Sequence, residues 1–148
     1  MTEEQATKSI LKWLGENNWV IVCFDFPQSG TGIMLHPNSA KSEKNKDGIV
    51  PDIVAVKGNT CLFFENKDRF YYKDYIKVNN LIHHNDYTIA INSLLSPYAI
   101  SRIYYGIGLP TVKHRKRSKE SVCLVDFIVG VNGDASIQIL HSVAGNFI

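Results

Sequence analysis

The chain has 148 residues, of which 45% are hydrophobic and 20% are charged, and its mean hydropathy is −0.10. These values are typical of a folded domain that buries a core without disulfides, and they exclude disorder over the whole length. The longest apolar runs fall far short of the roughly 18–20 residues that span a bilayer. Because no apolar signal segment follows the polar start "MTEEQATKS", we expect a cytoplasmic protein without membrane attachment.

Positive charge is concentrated in one short segment. The whole chain carries a net charge of +2, whereas residues 113–120 alone carry +4, which leaves −2 for the remainder. This distribution predicts an exposed loop that binds an anionic partner, with a solvated charged loop as the alternative. The cations of this segment that would contact such a partner are Lys113, Arg115, Lys116 and Arg117.

The three cysteines predict no metal site. Cys23, Cys61 and Cys123 are far apart in the chain, and each lies in an apolar, strand-like run without CxxC spacing. Cysteine is among the residue types most often found in protein interiors. We therefore expect three buried free thiols.

A helix and a buried strand open the chain. Thr2 and Gln5 form a capping-box pattern, apolar residues then recur at three-to-four spacing, and Gly15 ends the predicted helix. Residues 18–26 form a continuous apolar, β-branched run, which is typical of a buried strand.

A long connection separates this strand from a hairpin. Residues 27–48 are rich in Gly, Pro, Ser and Asn, and we expect the part from Asn38 to Gly48 to be mobile. Residues 50–67 then form two strand-like runs with Gly58-Asn59 between them. Glycine in the first position of a two-residue loop favours a type II′ turn.

The hairpin is followed by an amphipathic helix over residues 71–84. Its polar residues Lys73, Asp74 and Lys77 are predicted to form an exposed face.

The remaining chain predicts a strand over 87–92 and a short helix over 98–105. Two further strand-like runs flank Asn132-Gly133-Asp134, which is a hairpin turn signal. With no internal repeat or linker, the order of elements predicts a single α/β domain over residues 1–148.

Three charged residues stand at the open end of the first hairpin. If Gly58-Asn59 forms the loop, Asp52 and Glu65 face each other across the strands, and Lys67 lies on the same face. Facing carboxylates destabilise a sheet unless a cation neutralises them, and hard oxygen ligands select Mg²⁺ or Mn²⁺. The register therefore predicts a site for metal-assisted phosphodiester hydrolysis, in which the backbone carbonyl of Asn66 can also reach the cation.

The motif Pro51-Asp52 followed by Glu65-Asn66-Lys67 resembles that of the PD-(D/E)XK nuclease superfamily. The predicted order of helix, strand, hairpin, helix and strand over residues 2–92 also looks like the αβββαβ order of its restriction-endonuclease-like core. The resemblance implies a mixed β-sheet flanked by helices, with the C-terminal hairpin as an addition. It also implies that Asp52 and Glu65 bind the catalytic metal and that Lys67 assists the nucleophile.

A further acid is expected from the first helix, because some members of the superfamily use a glutamate there. Glu4 is slightly favoured over Glu3 for this role. The alternative is that both acids only interact with the helix dipole, which favours negative charge in a first turn.

These features together predict a Mg²⁺-dependent DNA endonuclease without a small-molecule cofactor. The resemblance is greatest to a small type II restriction endonuclease, which acts on double-stranded DNA as a homodimer. A structure-selective nuclease, such as a Holliday-junction resolvase, has the same core and remains an alternative. A catalytically silent DNA-binding module is the third.

Overall fold

The computed structural model describes residues 1–39, 47–115 and 119–145. Within these ranges, six strands form one mixed sheet: β1 (Val20–Phe24), β2 (Ile53–Lys57), β3 (Thr60–Asn66), β4 (Arg102–Pro110), β5 (Phe127–Val131) and β6 (Ile137–Ser142). The strands lie in chain order across the sheet. The β3–β4 and β4–β5 pairs are parallel and the other pairs are antiparallel. The predicted α/β class with a mixed sheet is confirmed.

The described helices are α1 (Glu3–Glu16), α2 (Tyr72–His83) and α3 (Thr88–Leu95). The predicted capping box begins α1: the backbone N–H of Gln5 donates to Thr2 Oγ1 at 3.1 Å, and that of Thr2 donates to Gln5 Oε1 at 2.8 Å. The helix continues one residue past Gly15. In the described part of the chain, no helix has both the length and the apolar character that a bilayer span requires.

The helices cover both faces of the sheet. On one face, Ile10 and Leu14 of α1 pack in a buried cluster with Ile53, Phe64 and Phe127.

The opposite face is covered by α2 and α3. The buried residues of these helices include Tyr75 and Val78 in α2 and Ile91 and Leu95 in α3. Because the chain leaves β3 and returns through these two helices, β4 can pair parallel with β3.

Residues 87–92 are not the predicted strand. From Thr88 onwards they belong to α3, which buries Ile91 and Leu95, four residues apart, against Val54 and Phe63. A short apolar run does not by itself distinguish a buried helix from a buried strand. Here both edges of β3 are already paired, with β2 and with β4, so the apolar run packs on the face of the sheet instead.

The predicted helix over 98–105 is also wrong. From Arg102 the chain forms β4, which pairs with β3 from Thr60↔Arg102 to Asn66↔Gly108. Its buried end lies between two parallel neighbours, and there Ile107 and Leu109 pack into the core. The order α, β, β, β, α, β is thus retained with α3 inserted, and its last strand is 102–110 rather than 87–92.

Two further predictions have mixed outcomes. The C-terminal hairpin is confirmed as β5 and β6. Cys23 and Cys61 are buried free thiols as predicted, but Cys123 is exposed, because it lies in a 3₁₀ turn and not in a strand. The segment that was predicted to be mobile, residues 38–48, falls largely outside the described residues.

Candidate active site

The first hairpin has the predicted register. Lys57 pairs with Thr60 and Ile53 with Phe64, around a loop in which Gly58 has a φ of +59°. Asn59 is not among the residues with positive φ, which fits the type II′ turn and excludes type I′. Just before β2, the backbone N–H of Asp52 donates to the carbonyl of Phe64 at 3.0 Å, so that Asp52 stands opposite Glu65.

Asp52 is a nearly buried carboxylate at this end of the hairpin, with 7% of its surface exposed. Its Oδ2 accepts a 2.6 Å hydrogen bond from the backbone N–H of Asn66. Burial first, and then the negative charge of Glu65, raise the pKa of Asp52 from its ordinary value of 3.8 to about 8, although the Asn66 hydrogen bond lowers it. A proton or a cation is therefore favoured at Asp52 at neutral pH.

Each oxygen of Glu65 faces a lysine. Lys67 Nζ lies 3.7 Å from Oε1, and Lys77 Nζ of α2 lies 3.0 Å from Oε2. Burial lowers the pKa of Lys67, but Glu65, followed by Asp74, Glu3 and Asp52, raises it above its ordinary value. Lys67 is therefore a protonated cation in the metal-free protein, suited to balance negative charge rather than to accept a proton.

The first helix contributes Glu3, rather than Glu4, to this group of charges. Glu3 Oε2 lies 3.8 Å from Lys67 Nζ, whereas Glu4 Oε1 pairs with Lys8 at 2.7 Å on the exposed side of α1. Glu3 therefore lies nearer these charges than Glu4, because the two side chains leave the first turn in different directions; which of them serves as an additional metal-site acid stays a prediction. Neighbouring helix positions differ by about 100° in direction, which the capping pattern alone does not resolve.

Asp74 and Lys77 belong to this group of charges and not to the exposed face that the sequence predicts. Asp74 is only 7% exposed, and its buried Oδ2 has no hydrogen-bond partner among the described residues. Burial raises its pKa, and the positive charge of Lys67 lowers it. Helical spacing held a usable signal, because Asp74 lies four residues before the buried Val78 and three before Lys77.

The side chain of Asn66 points away from these charges. It is fully buried towards α1, where Nδ2 donates to Thr7 Oγ1 at 3.1 Å. The next strand approaches closely, because the backbone N–H of Lys67 donates to the carbonyl of Gly108 at 2.9 Å. A Cβ on Gly108 would clash with Asn66 Oδ1 and with Ile10.

We therefore expect Gly108→Ala to lower the free energy of unfolding by about 1–3 kcal/mol, because the core beside Lys67 has to shift. Gly133→Ala is the matched control, since a Cβ there meets nothing within 4 Å. Urea denaturation checks both variants. Equal free energies of unfolding for the two variants would show that the side chains of Asn66 and Ile10 move away from the added methyl group without cost.

The oxygen donors suit a small divalent cation, although the metal site is not complete as it stands. Within the described residues, no group of three or more His, Cys, Asp or Glu side chains is placed to hold a metal. What the structure brings together is the carboxylates of Asp52 and Glu65, with the backbone of Asn66 hydrogen-bonded to Asp52. Carboxylate and carbonyl oxygens with remaining water ligands are typical of Mg²⁺ sites.

The described part of the basic segment starts at the same edge of the sheet. Asn66 pairs with Gly108 in the parallel β3–β4 ladder, so the ends of both strands lie side by side. Two residues after Gly108, β4 ends at Pro110 and a 3₁₀ turn leads to Lys113, which is exposed, as is Arg115. Lys116 and Arg117 lie outside the described residues.

Comparison with known protein families, with curated proteins and with solved structures finds none that matches this chain.

Proposed function

We propose that the protein is a Mg²⁺-dependent endonuclease of the PD-(D/E)XK type that hydrolyses phosphodiester bonds of double-stranded DNA. The observation that carries this proposal is the convergence of Asp52, Glu65 and Lys67 on one face at the open end of the β2–β3 hairpin. The α/β fold, with α1 before three antiparallel strands and a parallel β4 after the helices, is compatible with a restriction-endonuclease-like core.

The buried carboxylate pair supports binding of a cation. Asp52 and Glu65 would hold Mg²⁺, with Mn²⁺ as a substitute, and the backbone carbonyl of Asn66 is the expected additional ligand. When bound there, the ion would polarise a phosphate oxygen and lower the pKa of a bound water. Asp52 needs such a partner, since burial and the charge of Glu65 otherwise favour its protonated form.

The lysines beside Glu65, Lys67 and Lys77, are the groups that would contact the phosphate of the substrate. Lys67 and Lys77 place two ammonium groups around Glu65, at 3.7 and 3.0 Å from its oxygens. A phosphodiester that approaches the carboxylates carries negative charge, and these cations reduce its repulsion from them. Lys67, being protonated, would orient the attacking water and stabilise the charge that develops on the phosphate. Asp74 and Glu3 would hold the Lys67 ammonium in position.

We further propose a homodimer that resembles a type II restriction enzyme. One site per subunit cuts both strands of a duplex when two subunits are related by two-fold symmetry. Lys113, Arg115, Lys116 and Arg117 would contact the phosphate backbone. Such contacts position the protein on DNA without reading its sequence.

A cleavage assay tests the proposal. The purified protein is incubated with plasmid and with a four-way DNA junction, each with Mg²⁺ and with a chelator, and Glu65→Gln prepared in parallel controls for contaminating nucleases. We expect discrete plasmid fragments with Mg²⁺ only and none with the variant. Symmetric nicks confined to the junction would favour a resolvase, and DNA binding without cleavage would favour the silent module.

A further inference from the structure

An open groove of about 740 Å³ lies beside the candidate active site. It is lined by Phe70, Tyr71, Tyr72, Lys73, Glu120 and Ser121. We propose that this groove binds an unpaired nucleobase of the DNA substrate by stacking on its tyrosines. The proposal rests on the proposed nuclease function, and it implies a preference for DNA in which a single-stranded segment adjoins a duplex.

The tyrosines are presented to solvent on a fixed support. Tyr71 and Tyr72 are 47% and 53% exposed, which is unusual for neighbouring aromatic residues in a chain with a well-formed core. The ring of Phe70, by contrast, packs 5.1 Å from that of the buried Tyr75, which anchors the segment to α2. Aromatic rings exposed on a rigid element form a stacking surface that accepts any base, because every base has a π-face.

The groove is connected to the candidate active site through α2 and the segment before it. The segment runs directly from Lys67 to the start of α2 at Tyr72. On α2, Lys73 precedes Lys77 by four residues, which is roughly 6 Å along the helix, and Lys77 contacts Glu65. Lys73 and Lys77 line one pocket, so the groove and the candidate active site are connected along this side of α2.

The surrounding charges favour a base in the groove and phosphates at its rim. Lys73 on α2 and Arg69 in the segment before it are exposed, and Arg69 Nε lies 4.0 Å from Asp68, at the limit of an ion pair. Across the groove, Glu120 is negative and repels a phosphate, but not a neutral base. This pattern fits a backbone that follows the cations while one base enters between the aromatic rings.

Binding without metal tests the groove separately from cleavage. Fluorescence anisotropy with a chelator compares a blunt labelled duplex with the same duplex carrying a single-stranded extension. We expect tighter binding of the extended DNA. Tyr71→Ala and Tyr72→Ala should each weaken that binding by roughly tenfold, within the 5- to 150-fold range of one lost stacking contact, and leave the blunt duplex unchanged.

The controls separate stacking from other effects. Tyr71→Phe and Tyr72→Phe keep the rings and should bind like the parent protein, and Ile89→Ala removes a similarly exposed apolar residue, 68% exposed, far along the chain on α3. Equal weakening of both DNAs, or a parent protein without preference for the extension, would overturn the proposal. A lower molecular mass of the Tyr71→Ala or Tyr72→Ala variant than of the parent protein in light scattering would also overturn it. The groove would then be an interface between copies of this chain. Extension-dependent binding in a protein that never cleaves DNA would retain the groove and refute the nuclease.

Discussion

Glu65→Gln and Lys67→Met are each expected to lower the Mg²⁺-dependent cleavage rate by at least about 100-fold, because each removes a charge that acts on metal, water or phosphate. Both variants keep the volume of the side chain. The fold should persist, since the core of the sheet does not depend on these groups, and DNA binding should remain close to that of the parent protein. Single-turnover cleavage, with circular dichroism and anisotropy as parallel measurements, checks this expectation.

The matched control for the charge at Glu65 is Glu4→Gln. Glu4 lies in the first turn of α1 but pairs with Lys8 at 2.7 Å, so it should not affect cleavage. Glu3→Gln is informative in the same assay, because Glu3 lies 3.8 Å from the ammonium of Lys67. Retention of more than a few per cent of the parent rate in Lys67→Met would remove this lysine from the mechanism.

The second large effect concerns stability and pH at Asp52. Its carboxyl keeps a proton up to about pH 8 in the folded protein and loses it near pH 3.8 when unfolded. Between these values the folded state binds more protons, so stability falls as the pH rises through this window. Asp52→Asn removes the titration, and its Oδ1 can still accept from the N–H of Asn66. We expect this variant to be more stable at pH 8, by on the order of 2 kcal/mol or more.

The gain in Asp52→Asn should shrink towards pH 4 and disappear below pH 3.8, where the parent carboxyl becomes protonated in both states. Thermal unfolding at a series of pH values measures it, and Asp134→Asn in an exposed turn is a control that should show no such gain. A variant that is equally destabilised at every pH would mean that the carboxylate repulsion is absent and that Asp52 is purely structural.

A divalent cation should relieve the same repulsion in the parent protein. An ion that binds the folded state at ten times its Kd stabilises it by about 1.4 kcal/mol, which corresponds to a few degrees in Tm. Thermal unfolding with millimolar Mg²⁺ or Ca²⁺, and with a chelator, measures this increase. We expect the increase in Tm to be lost in Asp52→Asn. A parent protein whose melting curve ignores Mg²⁺ and Ca²⁺ would contradict the metal site.

Local sequence determined the hairpin and its charges. A two-residue loop at Gly58-Asn59 leaves one register, and the period of two along each strand then places Asp52 opposite Glu65 with Lys67 on the same face. The capping box at Thr2 likewise determined the start of α1. Each of these features depends on residues that are close in the chain, so turn geometry and hydrogen-bonding capacity are sufficient to predict them.

Only the tertiary structure decided which other groups join the site. Glu3 and Glu4 are equivalent in the sequence, and packing of α1 on the sheet turns Glu3 towards Lys67. The sequence predicts that Asp74 is a surface residue, but in the structure α2 packs on the parallel strands and Asp74 is buried. Likewise, residues 102–110 form a strand because they pair with the edge of β3 that β2 leaves open. Residues 88–95 then pack as a helix on the face of the sheet. These outcomes depend on contacts between residues far apart in the chain, for which a short apolar or charged run carries no signal.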